Sequence, residues 1–428
     1  MAFSGVFSTP SGRRIFLLVI CAIVSAHFMA SYFSDDYHPV RHFIGLSQRP
    51  LNQDGYPTSF EHLAVTLSSA DISLPPTLVL DETVAPTAVP QPPPRLASDG
   101  SVLVNATFIM LCKNDELEGV ISSVRQIQDR FNRKYGYPWV FLNDQPFTEE
   151  FKERVTVLAD SPVSFGLIPS EHWNQPDWID EEKASAGRSK MMSQGIIYAG
   201  ELEVYRNMCR YNSGVRTEHR FSGVGCLIDL KTARNLTGYR PNVQYFCDVN
   251  YDPFKFMQDN NKVYGFTISL VEWVQTIPSL WETVKEFVGQ NYDYLHPNNA
   301  LEFLSEDNGK HYNLCHFWSN FEIADMDFWR GEAYTKFFQF LEEKGGFYYE
   351  RWGDAPVHSI AVALFAGKDQ IHFFNEIGYR HEYFQHCPSG PSWSEGHCGC
   401  NPRDTFDNNP NSCTNKYLKL FGNNTTAV

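Results

Sequence analysis

The chain has 428 residues, 43% of them apolar, 15% aromatic and 20% charged, which allows two or three folded units at roughly 100–200 residues each. Fifty acidic side chains against 35 basic ones give a formal charge of −15, which excludes nucleic acid or anionic lipid as the main partner. An anionic substrate must then be balanced locally, by Arg, Lys or a metal ion.

The N-terminus carries the targeting signal. Residues 1–14 form a short tail whose only charges are Arg13 and Arg14, and Ile15 to Phe33 is apolar apart from His27. As a helix that stretch spans roughly 28 Å, enough for a thin bilayer. Arg13-Arg14 before it and Asp35-Asp36 after it predict a cytosolic tail and a luminal remainder. A cleaved signal peptide is disfavoured because no A-x-A site stands near Ser31. Residues 34–100 read as a Pro-rich luminal stem, extended and disordered, with the run Val89-Pro90-Gln91-Pro92-Pro93-Pro94 near its end. The folded head is expected over 101–428.

Ala106–Cys112 predicts a buried strand, followed by a polar turn at Lys113-Asn114-Asp115-Glu116. Leu117, Val120, Ile121, Val124, Ile127 and Phe131 recur at three- and four-residue steps, the mark of an amphipathic helix. A strand at Pro138–Asp144, a helix at Thr148–Val157 and a strand at Val163–Ile168 complete the alternation. Strand–helix–strand order predicts a parallel sheet with covering helices, and ligands bind such sheets at the carboxyl ends of the strands. That places Lys113, Asn143 and Asp144 at a nucleotide site, although no GxGxxG or Walker loop is present.

Ten cysteines occur, Cys21 in the apolar segment and nine beyond it. Cys387, Cys398, Cys400 and Cys413 crowd the C-terminus. In a secretory lumen they predict disulfides rather than zinc, since Cys-x-Cys lacks the usual zinc spacing. Sequons stand at Asn105, Asn235 and Asn423/Asn424.

The chemistry concentrates in two segments, His316-Phe317-Trp318-Ser319-Asn320-Phe321-Glu322-Ile323 and Tyr349-Glu350-Arg351-Trp352-Gly353-Asp354-Ala355-Pro356-Val357-His358. Aromatic faces bind the apolar faces of sugars, and nearby carboxylates stabilise the cation formed when a glycosidic bond breaks. A Trp-rich core with one ion-paired Glu would leave a similar trace in the first segment alone.

These two segments belong to a longer series of blocks. It includes Glu118-Gly119-Val120-Ile121-Ser122-Ser123, Tyr137–Asp144, Tyr205-Arg206-Asn207-Met208-Cys209-Arg210-Tyr211-Asn212-Ser213-Gly214, Tyr245-Phe246-Cys247-Asp248, Tyr251-Asp252-Pro253-Phe254 and Lys262-Val263-Tyr264-Gly265-Phe266-Thr267. Over residues 104–387 the head resembles the fungal Golgi α-1,2-mannosyltransferases of the KTR type, glycosyltransferase family 15. The resemblance implies an α/β fold of GT-A type with a mixed central sheet, GDP-mannose as donor and Mn²⁺ as metal. It also implies retaining transfer to a mannose 2-hydroxyl of O- or N-linked glycans on secreted and cell-wall mannoproteins. By the same resemblance Glu322 matches the candidate nucleophile and His358 the metal histidine. Arg210 and Ser213 would touch the donor diphosphate, Trp318 would exclude water, and Arg351 and Asp354 would orient the site.

One segment departs from the family. Where it carries Trp-Arg-Val-Glu-Pro, with the Glu as acidic metal ligand, this chain reads Tyr239-Arg240-Pro241-Asn242-Val243. Residues 215–238, including Cys226, do not match at all. Asp248 or Asp252 would then have to supply the missing acid. A catalytically inactive luminal homologue with a binding or scaffold role is therefore the alternative, and a hydrolase pairing Glu322 with Glu350 is a remoter one.

Overall fold

In the computed structural model of this chain, structure is described for residues 96–98, 100–196, 201–215, 227–229 and 243–421. The apolar segment 15–33, the stem to residue 95, Cys226, Arg240 and the sequons at Asn235 and Asn423/Asn424 lie outside the described residues. No helix among the described residues is long and apolar enough to cross a membrane.

The first stretch follows the expected alternation: β1 (Thr107–Leu111), α1 (Leu117–Ile127), β2 (Trp139–Asn143), α2 (Glu149–Thr156) and β3 (Val163–Leu167). The periodic residues Val120, Val124 and Ile127 of α1 are buried. Beyond Ile127 the helix widens into a turn at Gln128–Asn132 and stops at Gly136, whose φ of +72° suits a residue without Cβ. Asn132 closes the stop, its amide donating to the Tyr137 carbonyl at 2.8 Å while its oxygen accepts the Tyr137 N–H. Thr148 caps α2 by accepting from Phe151 N–H.

After α3 (Glu181–Ser193) and α4 (Glu203–Arg210), β4 (Leu227–Asp229) joins β1 in parallel, giving a four-stranded parallel sheet of order β3-β2-β1-β4. β5 (Gln244–Tyr245), α5 (Pro253–Asp259), β6 (Tyr264–Phe266), β7 (Ser269–Val271), α6 (Leu280–Gln290), β8 (Cys315–Phe317) and β9 (Glu322–Ala324) follow. Next come α7 (Glu332–Lys344), α8 (Asp354–Phe365), β10 (Ile371–Phe373), β11 (Tyr379–His381), β12 (Phe384–His386) and α9 (Thr414–Phe421). The ladder β10-β6-β9 is mixed, β12-β11-β5 and β7-β8 are antiparallel. The parallel strands and the mixed ladder are thus separate hydrogen-bonded sheets of one α/β unit. All twelve residues of α8 are buried; a helix apolar on every side belongs inside the core, so its few polar side chains must find partners there.

The cysteine expectation holds. Cys387 pairs with Cys400, while Cys398 and Cys413 reach back to Cys247 and Cys315. Cys112 and Cys209 are buried thiols. The Cys315–Cys413 bond closes a loop of 98 residues, worth about 4–5 kcal/mol in the chain-entropy account. Replacing both cysteines by Ala is expected to lower the urea midpoint by the corresponding amount, and an unchanged midpoint would contradict that account.

Candidate active site

Two clefts meet along one side of α4. The first, with an open volume of about 430 Å³, lies at the carboxyl ends of β1 and β2. Leaving β1, the chain presents Cys112 and Lys113, and leaving β2 it presents Asn143 and Asp144, while Trp173, Tyr205 and Met208 close the far side. Lys113 Nζ stands 3.8 Å from Asp144 Oδ1, and Glu116 accepts the Lys113 N–H at 2.7 Å. A half-shielded cation at strand carboxyl ends suits a phosphate-bearing ligand. Burial and the Glu116 carboxylate push the Cys112 thiol well up, so it stays protonated and apolar.

Tyr205 and Met208 also line the second cleft, of about 1040 Å³. Its floor comes from the β8–β9 turn and the entry to α8: Ser319, Asn320, Arg351 and Asp354 are all nearly buried. The Ser319 hydroxyl donates to Asp354 Oδ2 at 3.0 Å. Arg351 lies 3.7 Å from Glu272 and over the Tyr205 ring, 5.5 Å from its centroid. Trp318 forms a wall, with its ring edge-on to His381 and Phe384. Glu382 of the β11–β12 hairpin also faces the cleft, and burial raises its carboxyl.

Glu322 opens β9, paired with Phe266 of β6, and its side chain is fully buried. It lines neither cleft but follows the wall residues Ser319 and Asn320 directly. Its Oε2 accepts from the Tyr264 hydroxyl at 3.1 Å and lies 3.0 Å from His358 Nδ1. His358 Nε2 meets the Asn212 carbonyl at 3.1 Å. A carbonyl only accepts, so Nε2 carries a proton.

This geometry corrects several expectations. His358 spends both ring nitrogens inside the protein and offers no free lone pair to a metal. Arg210 pairs with Glu342 and donates to the His172 carbonyl at 3.2 Å, outside both clefts. Ser213 donates back to the Cys209 carbonyl at 2.7 Å, and its own carbonyl accepts from Tyr334. Both are packing residues here rather than diphosphate contacts. Asp248 bonds Arg130 at 3.1 Å and His397 at 3.2 Å beside the Cys247–Cys398 bridge, and Asp252 caps α5 while accepting from Tyr137. Neither stands at the clefts. Glu350 accepts from Trp352 Nε1 and Ser279 N–H, so the hydrolase reading loses its second carboxylate. Phe321 packs in the core against Tyr379 and Phe374.

The structure also adds residues. His381 is buried, burial pulls its pKa down to about 4, and its Nδ1 has no hydrogen-bond partner. No cluster of three metal-ligating side chains stands among the described residues. Glu272 and Glu382 were missed because each is a single acid, and only the fold brings them to one cleft.

A family model described as glycolipid 2-alpha-mannosyltransferase matches residues 81–422. Glycolipid 2-alpha-mannosyltransferase 2 of Candida albicans is 51% identical over 320 residues, covering 74% of this chain and 68% of that protein. The Saccharomyces cerevisiae glycolipid 2-alpha-mannosyltransferase is 48% identical over 318 residues, 74% of this chain and 70% of that one. Among solved structures, Aspergillus fumigatus core-mannan synthase A in a Mn/GDP form aligns with a TM-score of 0.69 at 38% identity, over 79% of this chain and 92% of that one. The S. cerevisiae mannosyltransferase Ktr4p in complex with GDP aligns at 0.70 and 39%, over 78% and 86%. With its parallel-strand cleft, its carboxylate-rich neighbour and these relatives, the chain belongs to the glycolipid 2-alpha-mannosyltransferase family, glycosyltransferase family 15.

Proposed function

We propose that this chain is a retaining α-1,2-mannosyltransferase of GT-A type. It moves mannose from GDP-mannose to a mannose 2-hydroxyl of O- or N-linked glycans on secreted and cell-wall mannoproteins. The observation that carries this reading is the joining of the two clefts at Tyr205 and Met208. A diphosphate-linked sugar needs one pocket for the nucleotide and an adjoining one for the hexose. The GDP carried by the Ktr4p structure supports the first assignment.

Lys113 and Asn143 hold the nucleotide at the carboxyl ends of β1 and β2, and Asp144 fixes the Lys113 ammonium. In the second cleft Asp354, held by Ser319, accepts hydrogen bonds from the sugar or the acceptor hydroxyl. Arg351, tied to Glu272, donates to them. Trp318 and Phe384 exclude water, suppressing hydrolysis of the donor. Glu322 lies directly behind the Ser319–Asn320 wall. Its carboxyl, dry and held by Tyr264 and His358, is the group placed to stabilise positive charge at the anomeric carbon. Mn²⁺ would neutralise the charge developing on the departing diphosphate. The Mn/GDP form of core-mannan synthase A supports that metal.

The three disulfides among the described residues support an oxidising compartment. We place the head in the Golgi lumen, carried by the 15–33 anchor and the Pro-rich stem. A catalytically silent homologue has no observation in its favour among the described residues.

The full chain incubated with GDP-mannose, Mn²⁺ and methyl-α-mannoside is expected to form an α-1,2-linked product, and chelation should stop it. GDP binding without any product would overturn the assignment. Lys113→Ala is expected to weaken GDP about tenfold or more, the worth of one charge-assisted contact. Equal GDP affinity measured calorimetrically for the two proteins would move the nucleotide elsewhere.

A further inference from the structure

Trp273 is 52% exposed and, unlike the other exposed indoles Trp178 and Trp393, lines the second cleft. It sits where β7 ends, on the wall that continues through Leu270, Val271 and Glu272 into the second cleft. Depth in that cleft is graded. Ser319, Asp354 and Arg351 on the floor are between 2% and 5% exposed, so Trp273 marks the rim. Its backbone is pinned on both sides: its N–H donates to Glu272 Oε1 at 2.8 Å, and its carbonyl accepts from the Thr276 hydroxyl at 2.6 Å and the Thr276 N–H at 2.9 Å. An exposed aromatic on fixed backbone, next to a carboxylate, is the set of groups that binds a pyranose. The ring takes the apolar face and the acid takes hydroxyl hydrogens.

We propose that Trp273, with Glu272, forms a second sugar subsite at the cleft rim. It holds the hexose that precedes the reacting mannose of an oligosaccharide acceptor. The inference rests on the mannosyl-transfer reading and deepens it: the preferred acceptor is an oligosaccharide of at least two mannoses rather than a single sugar.

The test compares methyl-α-mannoside with methyl α-1,2-mannobioside, by calorimetric binding to the full chain saturated with GDP and by transfer rates. Wild-type protein is expected to bind the disaccharide more tightly than the monosaccharide. Trp273→Ala should weaken the disaccharide about tenfold, leave the monosaccharide within about twofold, and erase the KM advantage of the longer acceptor. Trp273→Phe should recover most of the loss. An equal effect on both acceptors, or none on either, overturns the subsite. Absence of turnover in wild type would sink the transferase reading while the binding comparison still decides this one. Because the indole is exposed, unchanged melting temperatures serve as the control for folding.

Discussion

Glu322→Gln is expected to lower kcat for mannosyl transfer about 10²–10³-fold, the loss typical of removing one preorganised electrostatic contact. KM for GDP-mannose should stay within a few-fold. The amide fits the same space and still accepts from Tyr264. It can also donate to His358 Nδ1 once the imidazole is neutral, so no buried polar group is orphaned and the fold should survive. What disappears is the carboxyl behind the Ser319–Asn320 wall. His358→Gln should act through the same pair, so the double variant is expected to lose little more than Glu322→Gln alone. Additive losses would mean that the two side chains work separately. A Glu322→Gln rate within tenfold of wild type, with melting unchanged, would remove Glu322 from the chemistry.

The second large effect concerns the metal. His358→Ala should lower kcat while leaving the Mn²⁺ concentration for half-maximal rate unchanged, because both of its ring nitrogens are held by Glu322 and Asn212. Manganese binding followed by electron paramagnetic resonance should likewise be unchanged. The reverse pattern, with metal affinity following His358, would show that its hydrogen bonds to Glu322 and Asn212 open to admit the ion.

The legible parts of the molecule are those in which a residue's surroundings are its own sequence neighbours. The run Thr107–Leu111, the three- and four-residue steps of Leu117–Ile127 and the run Trp139–Asn143 each declare their element. Because parallel strands bind ligands at their carboxyl ends, Lys113, Asn143 and Asp144 could be placed at a cleft before any coordinates. Trp318, Arg351 and Asp354 were also legible as a group, being polar or aromatic side chains flanking short strand and helix ends. Arg210 and Ser213 were misread for a physical reason. A motif of buried polar residues looks the same whether the partner is a ligand or, as here, Glu342 and the Cys209 carbonyl.

By itself the sequence determined the α/β alternation, the disulfide-bonded character of the C-terminal cysteines and the family. All of these follow from local pattern and residue type. Only the tertiary structure decided what each histidine touches. His358 is carried on a helix buried on all sides, where its two nitrogens must be satisfied by protein groups. His381 ends a short strand beside the cleft wall and has an unmatched nitrogen. That difference depends on partners as much as 146 residues away in the chain, and no local pattern records them.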